Sequence, residues 1–414
     1  MYEKILDALE EKKIALLTGP GGTGKTYNIN RICENVSNVA RTATTGIAAT
    51  HLSGETIHRF SSMGVFSEPN SIYRIVQSPF FDEVEERINL ANLIVIDEVS
   101  MLHRKQFELL GEIFKEATGN YKEPFGGKKV LLSGDFLQLP PVNKRETTSP
   151  WIFHSKLWKE INPEVIELTK IWRQDNKEFG EALLNIRKGI CTQVENEMIA
   201  SREGATFKDV LPVKLVATNK EADKINQAEL AKLDTKTQTF GASVEIRNWE
   251  HMTDKQYKFH YDNLVKDMIA PEKLTLKVGA QVMALKNGDN YCNGTMGKVI
   301  KLDKFGAEVL TTNGEFIRFE KDDWTKLDST DEEIAKFSQV PLKLAYAVTV
   351  HKSQGMTLDY CQVDFGRVFS PGQSYVALSR VRSLEGLSAL NWRRRKVWCD
   401  RDAYNFYAKK GEEK

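Results

Sequence analysis

Short apolar runs recur along the first part of the chain, each closed by a polar or glycine-rich turn and followed by residues at helical spacing. Residues 1–12 place Ile5, Leu6 and Leu9 on one face of a predicted amphipathic helix. Ile14 to Leu17 reads as a buried strand, Asn38 to Ala43 as a second, Leu93 to Ile96 as a third and Lys129 to Leu132 as a fourth. This alternation up to about residue 160 predicts one α/β domain. A second set opens with IELTKIWRQ, Ile166 to Gln174, where a short strand precedes Arg173, and continues in KLVATNKEADKIN, Lys214 to Asn226. From Leu274 to Phe319 the runs shorten and alternate, broken by Asn287-Gly288, Asn293-Gly294 and Asn313-Gly314. Those are hairpin signals, and they predict a small all-β module of barrel type. The α/β pattern then resumes in KLAYAVTVHKSQG, Lys343 to Gly355, and QSYVALSRVRS, Gln373 to Ser383, so the β module interrupts a second α/β domain.

A chain of 414 residues with 41% hydrophobic content exceeds what one core usually serves, in agreement with two domains. Lys plus Arg total 58 and Asp plus Glu 57, so a net charge of +1 provides no global attraction to nucleic acid, and any such binding must use local patches. The five cysteines, Cys33, Cys191, Cys292, Cys361 and Cys399, are widely separated and show no metal-binding spacing. Reduced thiols in a cytosol-like compartment are the simplest account. The amino terminus lacks the apolar core of a signal peptide, and no run is long enough to span a bilayer.

The candidate chemistry starts right after the first strand. Gly19 to Thr26, GPGGTGKT, satisfies G-x-x-x-x-G-K-[ST], the loop whose backbone N–H groups cradle phosphates. Gly19, Gly21, Gly22 and Gly24 permit the tight turn around Pro20 and Thr23. Lys25 brings a point charge for the β and γ phosphates, and Thr26, ahead of Tyr27, offers a hydroxyl to Mg²⁺ at the positive end of the next helix. Asp97 and Glu98 follow the third strand at its carboxyl end, where open parallel sheets bind ligands. There Asp97 suits the metal, and Glu98 suits the general base that orients the attacking water. Gln138, on the loop after the fourth strand beside Asp135, suits a neutral contact to the γ phosphate. Thr44 and Thr45 stand where a helix starts and suit either N-capping or a nucleic-acid phosphate. His58 and Phe60 in GETIHRF suit base stacking or the core.

Taken together these stretches resemble the superfamily 1 DNA helicases, and most closely their PIF-type branch, with RecD and Dda as nearer cousins than the UvrD group. The stretches that carry the resemblance are GPGGTGKT at 19–26, TTGIAA with GETIHRF within 44–60, and IDEVSML at 96–102. They continue with PFGGKKVLLSGDFLQLPPV at 124–142, WRQDNKEFGEALLNIRKG at 172–189, AVTVHKSQGMTLD at 347–359 and YVALSRVRSLEGL at 375–387. The resemblance implies two RecA-like P-loop domains of the α/β class, 1–160 and 161–271 with 339–414, with ATP in the cleft between them. It further implies a small insert at about 56–80 in the first domain and an SH3-like β-barrel insert at 272–338 in the second. Arg173 and Arg380 would reach the γ phosphate, a role suited to a planar guanidinium. Thr26 and Asp97 would hold Mg²⁺, and Thr44, Thr45, His58, Phe60, His351 and Lys352 would lie near single-stranded DNA. The insert would act as a wedge at the fork, with Phe60, Phe66 and Phe80 as candidates.

The implied activity is an ATP-dependent DNA helicase moving 5′ to 3′ on single-stranded DNA and unwinding duplex or forked DNA, with G-quadruplexes and RNA:DNA hybrids as further substrates, and working as a monomer. The rivals are an RNA-directed helicase and a single-strand translocase or binding module without unwinding. One feature departs from the family: residues 1–18 hold no Gln to contact adenine, so either base recognition is looser or the chain is shortened there. Arg393, Arg394, Arg395 and Lys396 form a basic cluster that reads as a solvated surface or a nonspecific phosphate contact.

Overall fold

The computed structural model describes residues 1–412 except 64–70, 79–80, 142–148, 175, 209–210, 217, 248, 289, 292, 313, 328–331 and 351–352. The chain divides into two compact units. The first comprises Met1–Lys170, Ile246–Met252 and Thr325–Lys336, and the second Ile171–Glu245, Thr253–Trp324 and Phe337–Lys414.

The first unit is built on six strands, β1 (Ile14–Thr18), β2 (Val39–Ala43), β3 (Glu55–Thr56), β4 (Leu93–Asp97), β5 (Lys129–Gly134) and β6 (Glu164–Glu167). They lie side by side in the order β3-β2-β4-β5-β1-β6, and every pairing is parallel. β1 and β4 are buried at every position, which is why they read as continuous apolar runs rather than alternating ones. The strand anticipated within IELTKIWRQ closes this first sheet against β1 instead of opening a second domain, with Leu17 opposite Ile166. A four-residue strand cannot announce its partner, and burial against β1 decided it. The amino-terminal helix, Tyr2–Lys12, buries Ile5, Ala8 and Leu9 and leaves Leu6 only half-buried, a small rotation from the expected face.

In the second unit, β7 (Val213–Val216), β18 (Ala347–Thr349), β19 (Cys361–Asp364) and β20 (Leu387–Leu390) form a parallel sheet in the order β18-β7-β19-β20. Between β7 and β18 run β8 (Thr237–Gly241), β9 (Ser243–Ile246), β10 (Lys273–Lys277), β11 (Gln281–Ala284), β12 (Met296–Leu302), β13 (Gly306–Thr311), β14 (Phe316–Glu320), β15 (Asp322–Leu327), β16 (Glu333–Gln339) and β17 (Leu342–Leu344). The β module is a five-stranded sheet, β14-β13-β12-β11-β17, with β10 paired to β8. It recruits β8 from ahead of residue 272, because the edge of β10 pairs antiparallel with it, Leu274 opposite Phe240. Its core gathers Phe240, Leu276, Val282, Val299, Val309 and Phe319.

The turn between β12 and β13 carries no Asn-Gly pair. The Asp303 carboxylate makes it by accepting from the amides of Phe305 and Gly306 and from Arg318. In the first unit, Lys326 of β15 pairs with Glu55 of β3 at 3.0 Å, with each side chain 12% exposed.

Candidate nucleotide and nucleic-acid site

β1 runs into the glycine-rich turn, and the turn into a helix, in the order the pattern anticipated. Gly19 has φ +142°, and a Cβ there would stand 2.3 Å from the Leu168 carbonyl oxygen, so no other residue fits. Gly24, at φ +88°, caps the helix Lys25–Asn35 without a side-chain bond, leaving the first amides of that helix for a ligand. The Lys25 ammonium donates to the carbonyls of Gly19 at 2.7 Å and Pro20 at 3.0 Å, and the buried Thr23 hydroxyl donates to Pro20 at 2.8 Å. The loop is thus closed on its own lysine. Gly21 and Gly22 complete the turn, Thr26 is exposed, and Tyr27 is 70% exposed on the same helix.

Asp97 ends β4 and is buried, and its carboxylate accepts from the Glu98 amide at 2.9 Å. Burial pushes this carboxyl above the ordinary range, against the opposing pull of the Ser133 hydroxyl, the Glu98 amide and the charges of Lys25 and His51. Glu98 is half-buried and adopts φ +51°, a left-handed conformation that a side chain other than glycine occupies at a cost of about 1–3 kcal/mol. Thr44, at the end of the neighbouring β2, fastens this turn. Its amide donates to the Asp97 carbonyl at 3.0 Å and its hydroxyl to the Glu98 carbonyl at 2.7 Å. Gln138 is buried beyond β5, where its amide donates to Asp135 at 3.4 Å, while Asp135 accepts from the Leu137 amide. Phe136 anchors that loop by packing edge-on against Trp151, Phe153 and Trp158.

His51 and Ser133 act on Asp97 without having been anticipated. Ser133 lies in the SGDFLQL run and was open to notice, whereas His51 belongs to no motif and comes near only through the fold.

Thr45 caps the six-residue helix Gly46–His51, its hydroxyl accepting from the Ala48 amide at 3.3 Å, so the capping reading holds for its side chain. His58 is largely buried, with burial holding its imidazole below the ordinary range against the opposing pull of a hydrogen bond to Gln106. Phe60 requires a correction. It is 3% exposed and packs edge-on against Phe114 with Arg87 over its ring, so it is a core residue and no platform for a base. His351, Lys352, Phe66 and Phe80 lie outside the described residues.

Within the second unit, Arg173 and Arg380 converge on Ser379. Arg173 donates to the carbonyls of Ser379 at 3.2 Å and Gly355 at 3.4 Å. Arg380, 2% exposed, donates to the carbonyls of Val376 at 3.0 Å and Ser353 at 3.3 Å and to the Ser379 hydroxyl at 2.7 Å. The WRQ, HKSQG and SRVRS segments, far apart in sequence, are therefore stitched together by these guanidinium groups.

Among the described residues no cluster of three or more His, Cys, Asp or Glu side chains could hold a metal by itself, and no helix is long and apolar enough to cross a membrane. Cys33, Cys191, Cys361 and Cys399 are free thiols.

The family described as "PIF1-like helicase" matches residues 1–197, and "DNA helicase Pif1, 2B domain" matches residues 261–302. The chain is 33% identical to the ATP-dependent DNA helicase Pif1 of Psychrobacter sp. (strain PRwf-1), over 93% of this chain and 67% of that one. It is 34% identical to human ATP-dependent DNA helicase PIF1, over 98% of this chain and 62% of that one. It thus spans about two thirds of the length of these curated relatives. The structure of Bacteroides sp Pif1 with ADP-AlF4 matches with a TM-score of 0.83 at 27% identity, covering 100% of this chain and 96% of that one. Bacteroides Pif1 with ADP-AlF3 and ssDNA matches with a TM-score of 0.68 at 27% identity, covering 100% and 97%.

Proposed function

Because this chain belongs to the PIF1-like helicase family, we propose that it hydrolyses ATP to move along single-stranded DNA and to separate duplex DNA ahead of it, travelling 5′ to 3′ on the strand it holds. The observation that carries the reading is the pair of hydrogen bonds from Thr44 to Asp97 and Glu98. They tie a candidate backbone-phosphate contact to the main chain of the two acidic residues proposed for hydrolysis. The direction of travel rests on the family.

Lys25, now held by two loop carbonyls, exchanges them for phosphate oxygens. Thr26 and Asp97 fit Mg²⁺, because the buried Asp97 carboxyl is pushed toward its neutral form unless further positive charge faces it. When bound, Mg²⁺ neutralises charge building on the β and γ phosphates. Glu98 accepts the proton of the attacking water, and Gln138, oriented by Asp135, contacts the γ phosphate. Arg173 and Arg380 supply fixed positive charge for the transferring phosphoryl group.

Thr44, Thr45, His58, His351 and Lys352 are the candidate DNA contacts. The Thr45 hydroxyl caps its helix as an acceptor, which leaves its O–H able to donate to a phosphate. Backbone tracking does not demand one sequence or one kind of duplex, so RNA:DNA hybrids and G-quadruplexes fall within reach of the same kind of contact. Two tightly coupled arrangements of the site, with and without the γ phosphate, would turn each hydrolysis into a step.

The test is ATP turnover with and without single-stranded DNA. Strong stimulation that disappears in Lys25→Ala is expected, whereas wild-type turnover in Lys25→Ala would overturn the assignment of the site.

A further inference from the structure

The parallel sheet of the second unit puts the carboxyl ends of β18, β7, β19 and β20 along one edge, with Thr349 opposite Val216 and Asp364 opposite Leu390. β18 leads into the HKSQG segment assigned above to DNA, so the loops leaving β19 and β20 extend the same edge. Side-chain contacts join them into one surface. Arg367, after β19, pairs with Glu221 on the helix that follows β7. The Lys396 ammonium, after β20, donates to the carbonyls of Gly366 at 3.3 Å and Val368 at 3.0 Å.

Arginines on a solvated turn need no ligand by themselves. Three features set this turn apart. The first is that the neighbouring acids are already taken: Glu203 accepts from the amides of Asn391 and Trp392, and Asp364 from Gly366, Asn391 and Arg367. Among the described residues this leaves the exposed Arg393, Arg394 and Arg395 without an ion pair. The second is that the turn is fixed, because the Ser374 hydroxyl donates to the Lys396 carbonyl at 2.7 Å and the Gly372 amide to the Trp398 carbonyl at 3.0 Å. The third is Phe369, one residue from a carbonyl that holds Lys396. Its amide is pinned by Gln373 at 3.0 Å while its ring is 72% exposed. Among the described residues Arg393 donates only to the Trp392 carbonyl, at 2.7 Å, and cations without an ion pair together with an exposed ring, on loops joined through Lys396, are the ingredients of a single-strand site.

We propose that the loops leaving β19 and β20 form a second contact for single-stranded DNA, in which Arg393, Arg394 and Arg395 meet backbone phosphates and Phe369 stacks on a base. The contact rests on the helicase reading and would lengthen the stretch of strand the protein holds beyond the contacts proposed above.

The experiment compares oligothymidines of about 8 and about 16 nucleotides, within the span of known single-strand sites, by fluorescence anisotropy. The proteins are wild type, Phe369→Ala and the triple variant Arg393→Gln/Arg394→Gln/Arg395→Gln, each checked by thermal melting. Both variants should keep wild-type affinity for the shorter oligomer and lose about fivefold or more on the longer one. The triple variant should also reduce the salt slope for the longer oligomer by about 2, at roughly 0.7 per single-strand phosphate. Variants that match wild type on the longer oligomer, or that weaken both lengths equally, would overturn this contact while the helicase reading stands. If wild type binds neither length, both readings fall.

Discussion

The Thr44 hydroxyl donates to the Glu98 carbonyl at 2.7 Å, across the gap between the carboxyl ends of two neighbouring strands. A DNA phosphate that engages Thr44 therefore acts on the backbone of the proposed general base. Thr44→Val keeps the shape and removes that donor. Its loss, worth about 1 kcal/mol, should lower DNA-stimulated kcat about fivefold with little change in KM for ATP. Unchanged stimulation would separate the two sites.

Glu98 is expected to serve the chemical step and not the binding of nucleotide. Glu98→Gln should cut turnover by about 10²- to 10⁴-fold while ATP affinity, followed by a fluorescent analogue, stays near wild type. A variant that loses affinity in step with turnover would move Glu98 out of the base role.

Asp97 links the site to stability. Its folded pKa is raised above the ordinary 3.8 by burial, so the folded state holds a proton that the unfolded chain has released. Stability contributed by this group therefore falls as pH rises from the unfolded value through the folded one, and it stays low above that. Asp97→Asn should raise the melting temperature of the nucleotide-free protein at neutral pH, lose that advantage below the ordinary aspartate pKa, and abolish hydrolysis. Melting curves across pH decide this, and a variant less stable than wild type at neutral pH would contradict it.

Phe60 is assigned to the core. Phe60→Ala should cost about 3–5 kcal/mol in the unfolding of the first unit, while Phe60→Leu should bind single-stranded DNA as wild type does. A Leu variant that folds normally and binds DNA weakly would return Phe60 to the DNA surface.

Glu55 and Lys326 illustrate a pair whose partners respond differently. Burial opposes the charge of both, yet Lys326, Arg87 and Arg59 together hold the Glu55 carboxyl below its ordinary range, while burial and the two arginines keep Lys326 low. Breaking such a pair costs about 3–5 kcal/mol because a buried charge is left alone. Glu55→Gln should destabilise by that order, and Glu55→Gln with Lys326→Met should recover most of it in denaturant titrations. Additive losses would contradict the coupling.

Much of the site was legible because its chemistry is local. The phosphate loop, the Asp97–Glu98 pair and Gln138 each follow an apolar run directly, so strand and site are read in one stretch. What escaped was decided by partners distant in sequence. β6 joined the first sheet because β1 had a free edge to bury, the β module reached back to β8, and Phe60 met Phe114 in the core. His51 approaches Asp97 only once β2 and β4 are paired. The turn at Asp303 carries none of the three Asn-Gly signals and is made by a side-chain carboxylate instead.

The central claim is directional, ATP-driven unwinding, and the most direct measurement compares two partial duplexes alike except that one carries a 5′ single-stranded tail and the other a 3′ tail. The account predicts rapid strand separation from the 5′-tailed substrate, dependent on ATP and lost in Lys25→Ala. Preference for the 3′ tail, or ATP consumption with neither substrate unwound, would contradict it.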